Sequence, residues 1–197
     1  MGSGLGVAPG WIHIDGNIHV LMAGAPRPVL AALHRHASNV RQWLPRDEYV
    51  SRLRSHTFLH YDLERGLPLP SNAVTYVYCS HVLEHFYAAD ARRLAAEMYR
   101  VLQTGGTARL CVPDLEHAVR LYQQGDRHRA LEYFFTPTRA PHLSEHRYMY
   151  DFELMRELLR ETGFKTVERR AYREGRVPDL EILDNRPEET LYVEATK

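Results

Sequence analysis

Three side chains in the run "SHVLEH" are spaced for joint chemistry. His81, Glu84 and His85 stand at i, i+3 and i+4, and on the start of a helix they would occupy neighbouring positions of one face. An imidazole with an ordinary pKa of ~6.5 can take a proton from a hydroxyl or an amine at neutral pH. His81 comes directly after the apolar run "VTYVYCS" and is the candidate base. Glu84 and His85 read first as residues that fix the loop and helix to the sheet. Two acids hold comparable places: Asp15 closes "WIHID" and Asp62 closes "TFLHYD". A carboxylate at a strand end can accept hydrogen bonds from hydroxyls or an amino group, although it can also bond its own backbone. Gly2, Ser3 and Gly4 read in two ways, as a cloning remnant or as a glycine-rich loop that lets a ligand approach the backbone.

Other candidates are weaker. His142 and His146 stand four apart in "HLSEHRYMYD", but no cysteine or second histidine pair accompanies them, so no metal is expected. A packed loop is the first reading of that stretch and a lid over an acceptor pocket the second. Tyr148 and Tyr150 could line an aromatic pocket. The arginines between 27 and 54 could meet an anionic substrate, with a solvated helix face as the blander account. Cys79 and Cys111 lie inside apolar runs and read as two buried free thiols.

The elements that must position these residues alternate in type. "GWIHIDG", "TFLHYDL", "AVTYVYCS" and "TARLCVPD" read as strands, the third covered on both sides. Residues 26–55 suggest two helices broken at Pro45, the second carrying Tyr49, Val50 and Leu53 at helical spacing. Leu94, Ala95, Met98, Val101 and Leu102 form one stripe of a helix that Gly105-Gly106 stops, and Asp151 can cap "FELMRELLRETG". Two terminal strands, "FKTVERRAY" and "TLYVEATK", are joined by a charged loop. The pattern predicts an α/β domain around a mostly parallel sheet, whose ligands bind beyond the carboxyl ends of the strands.

Composition narrows the classes. The chain has 197 residues, so one domain over 1–197 is expected, with a helical insertion at about 26–55. Lys plus Arg and Asp plus Glu number 25 each, so no basic field points to nucleic acid. No stretch approaches the ~18 to 20 apolar residues of a membrane span, and a cytoplasmic protein is expected.

The order "DLERGLPLPSNAVTYVYCSHVLEHF…AEMYRVLQTGGTARLCVPDLE" resembles the class I S-adenosylmethionine (SAM)-dependent methyltransferases, and more narrowly a small bacterial group that also carries "GSG…GWI.ID". The resemblance implies a Rossmann-like sheet, mostly parallel with an antiparallel C-terminal strand. The first strand of that sheet is apparently missing or truncated, since only Met1 precedes Gly2. It implies S-adenosylmethionine as cofactor, with S-adenosylhomocysteine as product. Gly2, Ser3 and Gly4 then face the methionine part, Asp15 the ribose hydroxyls, and Asp62 with Leu63 the adenine. Ser80 and His81 fall where cofactor and methyl acceptor meet. The expected reaction is methyl transfer to an oxygen or nitrogen of a small molecule or sugar, with His81 as base. The alternative is a non-catalytic SAM-fold module that serves as a partner-binding scaffold. A homodimer is a further expectation, since a partner chain could supply a missing central strand. A nicotinamide-dependent dehydrogenase is disfavoured, because no full GxGxxG lies between a strand and a helix.

Overall fold

Strand β1, Ile12–Asp15, pairs in parallel with β2, Thr57–His60, in a register that runs from Ile12 opposite Thr57 to Asp15 opposite His60. Both lie in the first of two compact units, Met1–Leu63; the second is Glu64–Lys197. The computed structural model describes residues 1–2, 5–135 and 145–197. Parallel strands need a long crossover rather than a hairpin. Here it is made of four helices: α1 (Ile18–Leu21), α2 (Arg27–His36), α3 (Ser38–Arg41) and α4 (Arg46–Ser55). Pro45 directly precedes α4, where its missing N–H is no loss, as the sequence predicts. The first predicted helix breaks once more, at Ala37 between α2 and α3.

Leu30, Val40, Leu44, Tyr49, Val50 and Leu53 bury the apolar stripes of these helices together with Leu5. Two polar contacts lock the packing: His34 Nε2 donates to Leu44 O at 2.9 Å, and the Tyr49 hydroxyl meets His19 Nδ1 at 2.8 Å. Several of the arginines here serve contacts within this unit. Arg52 pairs with Glu48 and donates to Leu5 O, Arg46 pairs with Asp47, and Arg41 donates to Arg35 O.

The second unit holds β3 (Val74–Ser80), β4 (Leu102–Pro113), β5 (Thr166–Arg170) and β6 (Thr190–Thr196), in the spatial order β3-β4-β6-β5. β3 and β4 are parallel, and β6 runs antiparallel to both of its neighbours. The antiparallel C-terminal strand is therefore present. Among the described residues none before Ile12 forms a strand. β3 is covered only in its later half: Val77, Tyr78 and Cys79 are buried, whereas Thr75 and Tyr76 are exposed.

Helix α5 (Ala88–Val101) packs on β4 through Ala91, Leu94, Ala95, Met98 and Val101. It ends before Gly105-Gly106, and Leu102 already belongs to β4. Helices α6 (Leu115–Gln123) and α7 (Arg127–Glu132) follow, capped by Asp114 and Asp126. Asp151 caps α8 (Phe152–Glu161), accepting from Leu154 N at 2.8 Å. The charged terminal loop contains a helix that its sequence does not announce, α9 (Leu180–Leu183). Among the described residues no helix is long and apolar enough to cross a membrane.

That loop is tied down by one buried cation. Arg109, in the middle of β4, is fully buried and pairs with the Asp184 carboxylate through Nε at 3.1 Å and Nη2 at 2.5 Å. Nη1 reaches Glu194 Oε1 at 3.4 Å and Glu174 O at 3.0 Å, and Nη2 also donates to Ala171 O at 3.0 Å. The guanidinium lies over the Tyr192 ring, 4.8 Å from its centroid. Burial lowers the Arg109 pKa, but Asp184 and Glu194 outweigh that effect and the net shift is upward.

Candidate functional site

The carboxyl end of the first unit's sheet gathers four of the expected residues. Asp15 is the last residue of β1, and its Oδ1 accepts from Asn17 N at 2.9 Å, which fixes one side of the carboxylate. Tyr61 N donates to Asp15 O at 3.2 Å, so β2 exits beside Asp15 and delivers Asp62 to the same end. Asp62 is exposed and Leu63, which opens a short 3₁₀ turn, is half-buried. Gly2 N donates to Ile14 O at 3.2 Å, and Gly2 has a φ of +63°, a left-handed conformation that side chains resist. Ser3 and Gly4 lie outside the described residues. Two carboxylates and a glycine at one sheet end suit a ribosyl adenine ligand: carboxylates only accept, and ribose hydroxyls and an adenine amino group donate. Asp15, Asp62 and Leu63 would hold that part of it, with Gly2 at the close approach.

In the second unit, Ser80 ends β3 and His81 follows with φ +50°, a conformation uncommon for a residue with a Cβ. The position is over-determined. His81 N donates to Cys111 O at 2.8 Å, Nδ1 stands 3.2 Å from Glu84 Oε1, and Nε2 stands 3.3 Å from Thr190 Oγ1. His81 and Glu84 do meet, though not on one face of a helix: Leu83–His85 is a single 3₁₀ turn, and α5 begins only at Ala88. His81 lines a cleft of about 190 Å³ with Pro113, Arg129, Tyr133, His146 and Glu189 among its walls. Tyr133 donates to Glu189 Oε2 at 3.1 Å, and burial raises the Tyr133 phenol to about 12, so at neutral pH it is a hydrogen-bond donor and not a base.

Other residues at strand ends and in the quoted motifs have structural places. Asp114, also at a strand end, is buried; it caps α6 through Glu116 N and pairs with Arg169 at 3.0 Å. Tyr150 is buried and packs against the half-exposed Tyr148, with ring centroids 5.0 Å apart. Cys79 and Cys111 are buried free thiols. Burial pushes Cys79 up to about 12 and Cys111 upward as well, so neither is a thiolate nucleophile. His142 lies outside the described residues. Sequence reading missed the cleft's charged wall, because Arg129, Glu132, Arg186 and Glu189 come from two distant stretches.

Residues 19–110 match the family model described as "Methyltransferase domain". The chain is also similar to the solved S-adenosylmethionine-dependent methyltransferase SibL, at 18% identity and a TM-score of 0.51 over 94% of this chain and 49% of that one. The family match covers less than half of the chain, and the likeness to SibL is one of fold: the α/β fold of a SAM-dependent methyltransferase. The chain spans about half the length of SibL. A SAM-dependent methyltransferase of Archaeoglobus fulgidus is similar at 14% identity, with a TM-score of 0.48 over 92% of this chain and all of that one. Another, from Mesorhizobium loti, has 16% identity and a TM-score of 0.47, over 94% of this chain and 79% of that one. No curated protein matches the chain.

Proposed function

We propose that this methyltransferase transfers a methyl group to an oxygen or nitrogen of a small molecule or sugar, with His81 as the group that takes the acceptor's proton. The observation that carries the reading is the place of His81. It follows the carboxyl end of a parallel strand, has Glu84 beside Nδ1 and Thr190 Oγ1 at Nε2, and faces a cleft with polar and charged walls. Arg129, Arg186, Glu132 and Glu189 suit a hydroxyl-rich or amine-bearing acceptor better than an apolar one.

The sulfonium of the bound cofactor supplies an already activated methyl group. What remains for the chain is to hold the acceptor in line and remove its proton. Alignment of this kind can supply about 7–11 kcal/mol of barrier reduction. His81 Nε2 would receive the proton, while Glu84 beside Nδ1 stabilises the ring as it becomes charged. Gly2, Asp15, Asp62 and Leu63 are proposed to hold the cofactor, with Ser3, Gly4 and Ser80 added by family resemblance alone. On this reading the protein is cytoplasmic and acts on neither nucleic acid nor membrane, in keeping with its balanced charge and two buried thiols.

The test has two parts. Calorimetric titration with S-adenosylhomocysteine should give saturable binding, and a folded protein that binds none would leave a scaffold role as the better account. Methyl transfer from labelled S-adenosylmethionine to a panel of sugars and amines should then be lost in His81→Ala while S-adenosylhomocysteine binding persists. Full turnover in that variant would remove His81 from the role.

A further inference from the structure

Glu84 carries a cost that the fold does not explain. Its side chain is 1% exposed, yet neither carboxylate oxygen has a hydrogen-bond partner among the described residues. His81 Nδ1 is near, at 3.2 Å, but not aligned for a hydrogen bond, and His85 Nε2 is 3.9 Å away. A buried carboxylate without hydrogen bonds calls for positive charge beside it.

Two imidazoles are arranged to bring one. His85 and His146 stand with ring centroids 5.2 Å apart. In each ring Nδ1 is committed to a backbone carbonyl, His85 to Glu145 O at 3.1 Å and His146 to Tyr133 O at 2.5 Å. A carbonyl only accepts, so in the neutral rings the proton sits on Nδ1 and the lone pair on Nε2. This is the way metal-binding histidines are oriented by their outer partners. Ligand atoms of Glu84, His85 and His146 all lie within 4.8 Å of one another. A tetrahedral cation with bonds of 2.0–2.1 Å would draw such atoms to about 3.3 Å apart, a closure of the order of one ångström. The backbone holds the group together without an ion. Arg147 N and Tyr148 N both donate to Glu84 O, at 2.7 and 3.2 Å, and so tie the segment bearing His146 to the turn bearing Glu84 and His85.

We propose that Glu84, His85 and His146 form a binding site for a divalent first-row transition cation. Two imidazoles and one carboxylate favour a zinc-like ion over calcium or magnesium, which prefer all-oxygen shells. The three residues leave coordination positions for water or a further ligand. His146 also lines the cleft that His81 faces, so the cation stands at the border of that cleft. Its binding can be measured without methyl transfer; only a part in the reaction, through Glu84 that also stands beside His81 Nδ1, rests on that reading.

The test is titration of the chelator-treated full chain with zinc chloride by calorimetry, and with cobalt(II) by visible absorption. One equivalent should bind with micromolar or tighter affinity, and cobalt should give the bands of a low-coordinate site. His85→Ala and His146→Ala should each weaken zinc by about tenfold or more. His128→Ala, at an exposed histidine of α7, should change nothing. Glu84→Gln should weaken zinc as well, and circular dichroism reports whether that variant is folded. Absence of stoichiometric binding overturns the proposal, and so does undiminished binding in both histidine variants. S-adenosylhomocysteine titrated into the same samples tests the methyltransferase reading separately, since loss of one binding event leaves the other standing.

Discussion

Replacing Arg109 by Met should be among the most damaging single substitutions in the chain. The guanidinium is fully buried in β4, and the Asp184 and Glu194 side chains are 0% and 2% exposed. Met keeps much of the volume and removes the charge. Asp184 would retain the Tyr78 hydroxyl at 3.1 Å and Arg173 N at 2.8 Å, and Glu194 would retain Arg176 N and Val177 N. Both carboxylates would lose their central counter-charge, and Glu174 O and Ala171 O would lose a donor. Breaking a buried pair from one side costs about 3–5 kcal/mol, mostly as the penalty of the charge left behind. For a chain of this length that corresponds to a fall in Tm of about 6–20 °C. Urea unfolding followed by circular dichroism, with calorimetry alongside, would measure it. Arg109→Met/Asp184→Leu should recover much of the loss, because it removes the stranded carboxylate too. A cost below about 1 kcal/mol for Arg109→Met, the value of an exposed pair, would refute the reasoning and mean that water reaches the network.

Gly175→Ala should destabilise through the same network, by about 1–3 kcal/mol, since its Cβ would collide with Glu194 Oε1 and approach Arg109 Nη1; unfolding curves would show it, and an unchanged midpoint would contradict the packing. His13 is buried, and desolvation lowers its pKa to about 4 from an ordinary 6.5. Between those values the unfolded chain binds the extra proton, so stability is full above about pH 6.5 and is lost towards pH 4, by about 3 kcal/mol in total. Comparing unfolding at pH 7 and pH 4.5 in the native chain and in His13→Gln should show a smaller pH effect in the variant. Asp15→Asn should weaken S-adenosylhomocysteine by about tenfold, the worth of one charge-assisted hydrogen bond, without shifting Tm by more than a few degrees; equal affinity in calorimetry would remove Asp15 from the cofactor site.

Much of the scaffold was legible because its signals are local. The stripe at Leu94, Ala95, Met98 and Val101 is buried as a helical period requires, and Asp151 caps the helix that it precedes. Asp15 and Asp62 fall at the ends of adjacent parallel strands, where short apolar runs followed by an acid predicted them. The turn after β3 was misread, because His81, Glu84 and His85 at i, i+3 and i+4 look helical. The chain instead passes through a left-handed residue and one 3₁₀ turn.

By itself, then, the sequence determined periodicity, caps, strand ends and the order of motifs that resembles a methyltransferase, since each is decided by neighbours within a turn or two. Only the tertiary structure decided that Arg109, inside an apolar strand, finds Asp184 and Glu194, which are 75 and 85 residues away in the chain. It also decided that His146 meets His85 and Glu84, which come from a distant stretch of the chain. Partners at that distance are chosen by strand order and loop anchoring, and a charge buried in a core is stable only where the fold delivers its counterpart.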